Sequence, residues 1–180
     1  IAEKEITDFR RVKGVEDNTP YSPELRDTIY DMQIRQDWLS EYRKLNLAMD
    51  EISYIGAFSQ DMNVEQLVEK AYSLLGIEKG WQIREADPFA FIRSRLEAIG
   101  ITVFVNGVVG SNNKRKLLVE EFRGFTLLDS YAPIIFINGR DSNNGKLFTL
   151  IHEFCHILLG KEGVSDSSSE PYCNMFAGEF

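Results

Sequence analysis

The amino-acid sequence predicts an α+β fold, and three observations carry that expectation. Apolar residues recur at helical spacing as far as Ile99, and the pattern then shortens to β-branched and aromatic runs between Ile101 and Ile137. A strongly apolar helical stretch follows from about Lys146. Hydrophobic residues make up 43% of the 180 positions and aromatics 12%, enough to bury a core beneath such elements. The length suits one domain, or one domain with an attached extension.

Residues 1–20 are polar and charged, with a break at Asp17-Asn18-Thr19-Pro20, and read as a linker or a loosely packed arm. Ser22-Pro23-Glu24 then supplies an N-cap, a proline at the first helical position and an acid in the first turn. The helix it starts runs to about Leu45, with Leu25, Ile29, Met32 and Leu39 at helical spacing, and its Trp38 and Tyr42 read as packing residues. We take residues 1–60 as an N-terminal linker and helical extension, and 61–180 as the main domain. Asn63 caps a second helix through Leu75, closed by Gly76, and Asp87-Pro88 opens a third through Ile99, closed by Gly100.

Ile101-Thr102-Val103-Phe104-Val105 has strand composition, as do Phe125 to Leu128 and Pro133 to Ile137. Ser111-Asn112-Asn113 reads as a turn, and Asp129-Ser130-Tyr131-Ala132 as the connection of a hairpin. Asn143-Asn144-Gly145 closes the sheet region, before a helix from about Lys146 to Leu159 that Gly160 stops. A polar loop, Lys161 to Ser168, leads to Ser169-Glu170-Pro171, a cap and helix start. The last helix runs off the end at Phe180, and the chain starts with Ile rather than Met, so we expect part of a longer protein.

The charge balance excludes some functions. The formal net charge is -8 and the basic residues are scattered, which argues against direct nucleic-acid binding by this segment. Apolar runs such as Ala132 to Ile137 are far too short to cross a bilayer, and no charged-then-apolar leader follows Ile1. Cys155 and Cys173 are the only cysteines, too few for a disulfide framework, and a reducing, cytoplasmic location is the simplest expectation.

The chemistry concentrates in His152-Glu153-Phe154-Cys155-His156. Histidines four residues apart on a helix project from one face, where two neutral imidazoles can share a Zn²⁺ at ~2.0–2.1 Å. Glu153 lies about 100° around the helix, beside the metal, placed to take a proton from water and pass it to a leaving amine. These are the only two histidines of the chain, and their flanks are apolar enough to be buried. A catalytic zinc takes three protein ligands and keeps one open position. No third histidine exists, so Glu162, Asp166 and Glu170 are the downstream candidates. Glu170 is favoured because it starts a helix whose face carries Cys173, Asn174 and Ala177. Asn174 would then support the far nitrogen of a ligating histidine. Cys155 reads as a small buried residue, since a fourth ligand would close the site. For the oxyanion the choice stays open among the metal, Tyr172, Tyr131, an arginine and a backbone amide.

At these residues the sequence resembles the ImmA/IrrE family of bacterial and phage metallopeptidases. Phe148 to His156 is similar to the family's F-T-L-x-H-E-x-x-H stretch, Ala132 to Asn138 to its P-x-I-x-x-N strand, and Glu170 to Phe180 to its E-x-x-x-N-x-F-A-x-E helix. Together they span residues 100–180, with one departure at Cys155, where Gly or Ala is usual. Ser22 to Tyr42 resembles the region that, in longer members, follows a helix-turn-helix domain. The resemblance implies a zincin-like core, with a small antiparallel sheet of about three strands packed against helices, and Glu170 as third ligand. It implies a zinc endopeptidase acting on a specific protein, a DNA-binding transcriptional repressor or an antitoxin-like regulator, in phage induction, mobile elements or stress responses. The alternative is a non-proteolytic, metal-bound regulatory or toxin-like binding module. The retained Glu153 speaks against it, because pure zinc binding has no need of that carboxylate.

Overall fold

The computed structural model describes residues 21–160 and 169–180, together with the backbone pairing of Asp8–Phe9. The elements in chain order are β1 (Asp8–Phe9), α1 (Pro23–Asn46), α2 (Val64–Leu75), a short 3₁₀ turn (Trp81–Ile83), α3 (Pro88–Ala98), β2 (Thr102–Asn106), β3 (Val108–Val109), β4 (Asn112–Lys116), β5 (Gly124–Leu127), β6 (Ile134–Asn138), α4 (Asn143–Leu159) and α5 (Glu170–Glu179). This is the expected α+β architecture.

Helix starts follow the capping chemistry. The Ser22 hydroxyl accepts from Leu25 N–H at 3.1 Å, Asn63 Oδ1 accepts from Glu65 N–H at 2.8 Å, and Asp87 Oδ1 accepts from Ala90 N–H at 3.0 Å. Gly76 and Gly160 close α2 and α4 in left-handed conformation. α4 begins three residues before the sequence places it. Ser142 Oγ accepts from Gly145 N–H, so Asn143-Asn144-Gly145 is its first turn rather than the end of the sheet region. Just ahead, Arg123 grips Asp141 with both carboxylate oxygens at 2.8 and 2.9 Å and fixes where the helix starts.

The main sheet runs β1-β5-β6-β2. β5 and β6 form the predicted antiparallel hairpin, with Phe125 opposite Phe136. The all-antiparallel expectation fails at β2, which pairs with β6 in parallel, Thr102 to Asn106 against Ile134 to Asn138. Residues 107–133 supply the long crossover that a parallel pair needs, and β6 slots between β2 and β5. Part of that crossover is the β3–β4 hairpin. It turns at Gly110-Ser111, and Asn112 and Asn113, read as turn residues, already belong to β4. Within the N-terminal arm, Asp8 and Phe9 pair antiparallel with Thr126 and Phe125. The rest of that arm, and the loop carrying Glu162 and Asp166, lie outside the described residues.

The sheet is covered on both faces, which is why β5 and β6 are buried along their whole length. On one side Leu25, Ile29 and Met32 of α1 pack against Leu117, Phe122, Phe125, Leu127, Ile134 and Phe136. The buried Gln36 amide spans this layer, donating to the carbonyls of Leu127 and Ala132 at 2.9 Å each. On the other side α2 to α5 bury Ile135 and Ile137. Trp38 and Tyr42 differ from expectation. They point away from this layer, 65% and 40% exposed, and stack on one another with ring centroids 5.3 Å apart. Among the described residues no helix is long and apolar enough to cross a membrane.

Candidate metal centre

The site is built where α4 meets both β5 and α5. Successive side chains of β5 alternate faces. Phe125 and Leu127 enter the α1 layer, so Gly124 and Thr126 face α4. Gly124 is what lets the helix come close: a Cβ there would stand 2.6 Å from Thr149 Cγ2 of α4 and 2.8 Å from the Phe136 carbonyl. At its C-terminal end α4 is held by the strap of residues 54–58. Gly56 N–H donates to Ile157 O at 3.1 Å and Phe58 N–H to Leu158 O at 3.2 Å, satisfying carbonyls that a helix end leaves open. The motif therefore sits on a rigid, enclosed helix, with every residue from Thr149 to Leu159 buried.

On that helix His152 and His156 stand one turn apart and their Nε2 atoms converge to 3.0 Å. Glu170, the first residue of α5, brings its Oε1 to 3.5 Å from His152 Nε2 and 3.3 Å from His156 Nε2. Packing of Cys173, Phe176 and Ala177 into the α4 layer holds α5 in place. The three residues offer ligand atoms that all lie within 4.8 Å of one another. Burial raises the Glu170 carboxyl, but hydrogen bonds and charge from both histidines outweigh it and hold the group well below the ordinary carboxylate range. Its Oε1 is buried and faces the two imidazole nitrogens. Two imidazole nitrogens and a buried carboxylate oxygen aimed at one point are a donor set that fits a divalent cation.

Glu153 follows His152 on α4. It is fully buried, and its Oε2 accepts a hydrogen bond from Thr126 Oγ1 at 2.8 Å. Nothing in the motif reveals this partner. The available signal is the alternation Gly124-Phe125-Thr126-Leu127, which puts a lone hydroxyl on the face opposite two large apolar residues.

The remaining candidates are placed differently. Asn174 is exposed, and the contact with the far nitrogen of His156 is made by its neighbour, Cys173, whose Sγ lies 3.6 Å from Nδ1. α5 turns its i+3 position inward rather than i+4. Cys155 is buried, as read from sequence. The Cys155 side chain, then burial, push the Cys173 thiol far above its usual range, with His156 opposing. Tyr172 spends its hydroxyl on the Met62 carbonyl at 3.0 Å. Tyr131 directs its hydroxyl to Glu51 at 3.4 Å, with Lys44 Nζ 4.5 Å from its ring centroid.

Fold and cluster together define an α+β domain with a candidate metal site of two histidines and a glutamate, and a second buried carboxylate alongside. Residues 96–180 match the family model Peptidase_M78, the IrrE N-terminal-like domain, and that match suggests metallopeptidase-type character. The matched stretch runs from the end of α3 through α5 and contains the whole cluster. No curated protein and no solved structure matches the chain.

Proposed function

We propose that the chain is a zinc-dependent endopeptidase that hydrolyses a specific protein partner, a DNA-binding transcriptional repressor or an antitoxin-like regulator. The observation that carries the catalytic part is the convergence of His152, His156 and Glu170 beside a buried Glu153 held by Thr126. His152, His156 and Glu170 would hold the ion. A bound Zn²⁺ would polarise the scissile carbonyl and lower the pKa of water. Glu153 supplies the general base: it accepts the proton of the attacking water and then delivers it to the leaving amine. Thr126 holds the carboxylate in place through Oε2. Burial of α4 around the cluster keeps bulk solvent from the carboxylate, which strengthens each of these interactions.

The partner is inferred from the family resemblance. The test compares wild type with Glu153→Gln, measuring bound zinc and cleavage of the repressor encoded beside the gene. Expected are zinc retained in both and cleavage reduced at least ~10²-fold in the variant, as loss of a general base requires. Equal cleavage by both proteins removes Glu153 from the mechanism. Tight repressor binding with no cleavage by either protein turns the reading to a regulatory module.

A further inference from the structure

Helix α1 is apolar on two faces, where a surface helix needs one. Leu25, Ile29 and Met32 pack against the sheet. On the opposite side Tyr30, Ile34, Trp38 and Tyr42 stand at i, i+4 spacing, and Leu45 carries the row one turn further. All five are between 40% and 80% exposed, and Trp38 and Tyr42 stack on each other within the row. Single exposed apolar side chains are ordinary, whereas a continuous ridge of five marks an interaction site. At ~150–250 Å² per ring, the exposed parts of Tyr30, Trp38 and Tyr42 alone amount to about 250–400 Å². Obligate interfaces bury about 2,000 Å² or more in total and transient ones less than about 1,200 Å², so a ridge of this size suits a transient encounter.

Charge decides what the ridge would meet. Asp37 and Glu41, both exposed, lie along one side of it, three residues on from Ile34 and Trp38. The cations of the same stretch are turned onto the chain's own groups. Arg35 holds Asp31 at 2.9 Å, Arg43 donates to the carbonyls of Gly100 and Tyr131 at 2.8 and 2.6 Å, and Lys44 Nζ stands 4.5 Å from the Tyr131 ring centroid. The formal net charge is -8. A second copy of the chain would therefore bring like charge to like, whereas a basic partner is drawn in.

We propose that this face of α1 is a docking surface for a basic amphipathic helix of a partner protein. The helix lays its apolar side across the ridge, and its Lys or Arg side chains reach Asp37 and Glu41. An i, i+4 ridge fits the groove of a second helix, the commonest way two helices pack. Trp and Tyr are the residue types that dominate binding energy at interfaces, and here two stand side by side. α1 and the candidate metal cluster lie on opposite faces of the sheet, so a helix docked on α1 does not cover the cluster. DNA-binding proteins present basic surface of the required kind. Naming the docked protein as the regulator to be cleaved rests on the proposed function, whereas the docking surface does not.

Trp38 and Trp81 are the only tryptophans, and Trp81 is buried, so Trp38 reports on the ridge. The full chain is titrated with two labelled synthetic helices that share one leucine stripe, one otherwise of lysine and the other of glutamate. Acrylamide quenching follows Trp38, and anisotropy of the label gives the affinity. The lysine helix should shield Trp38 and bind less tightly as salt rises. Trp38→Ala and Tyr42→Ala should each weaken it at least about tenfold while urea unfolding stays unchanged. The double variant Asp37→Asn, Glu41→Gln should flatten the salt dependence. No shielding by the lysine helix, or full affinity in both alanine variants, overturns the docking surface. Equal binding of the glutamate helix overturns the basic partner. A free chain that sediments as a dimer with Trp38 already shielded gives the face to a second copy and overturns the proposal. In repressor cleavage, Trp38→Ala should raise KM about tenfold. A chain that binds the lysine helix at the ridge but cleaves no repressor counts against the proposed function and supports the docking surface.

Discussion

Replacing Thr126 with valine removes one hydroxyl from a fully buried site while keeping the shape of the side chain. The hydroxyl donates to Glu153 Oε2 at 2.8 Å, and both residues are closed off from solvent. Leaving a buried acceptor without its hydrogen bond costs ~1–3 kcal/mol. For a chain of this length each kcal/mol is worth ~2–4 °C, so Thr126→Val should lower the melting temperature by about 2–12 °C. Thr126→Ser is the control: it keeps the donor and loses one methyl group, for ~1 kcal/mol. In the Glu153→Gln background the carboxyl acceptor is replaced, and the cost of Thr126→Val should differ by ~0.5–3 kcal/mol, as for residues that share a hydrogen bond. The assay is thermal and urea unfolding of the four proteins in a double-mutant cycle, with chelator present so that metal does not enter. Equal losses for valine and serine would refute the reasoning, since packing rather than the hydrogen bond would then be responsible. So would a coupling energy of zero between positions 126 and 153.

Three further outcomes are expected of the same fold. A Cβ on Gly160, at φ +57°, would lie 2.2 Å from Gly56 Cα, whereas one on Gly76, at φ +62°, meets only the Arg95 Nη1 tip at 4.0 Å. Gly76→Ala should cost the left-handed penalty of ~1–2 kcal/mol and Gly160→Ala a further ~1–3 kcal/mol for a backbone clash that no side chain can relieve, read by urea unfolding. Zinc at about 100 times its dissociation constant should add ~2.7 kcal/mol to the folded state, a rise of about 5–11 °C, and His156→Ala or chelator should abolish it. That zinc-dependent rise should shrink as pH falls, because protons compete with the metal for the ligating imidazoles; a melting series from pH 8 to 5 checks it.

Much of the candidate site's geometry was legible because its parts are local. The i, i+4 histidines need only a helix, and Leu147 to Leu159 could hardly be anything else. Glu170 was legible because Ser169-Glu170-Pro171 announces a helix start. Side chains brought in by tertiary packing were not. Thr126 reaches Glu153 only because Gly124 allows α4 against β5, and neither fact is written near the motif. Asn174 and Cys173 are neighbours on α5, and which of them faces His156 depends on how Phe176 and Ala177 seat the helix, a rotation that spacing leaves undetermined. The parallel β2–β6 pair was hidden for a related reason. Local turn chemistry announces a hairpin between β5 and β6, but β6's second neighbour is set by the crossover. Trp38 and Tyr42 read as packing residues on composition, whereas the buried face of α1 is the one defined by Leu25, Ile29, Met32 and Gln36.

X-ray absorption at the zinc edge of the reconstituted chain asks most directly whether His152, His156 and Glu170 hold the ion. The expected spectrum has light scatterers only, nitrogen and oxygen at ~2.0–2.2 Å with the multiple scattering of two imidazoles, and one imidazole disappears in His152→Ala. A sulfur shell at ~2.3 Å would contradict it, placing Cys155 or Cys173 on the metal, closing the open position and removing the basis for hydrolysis at this site.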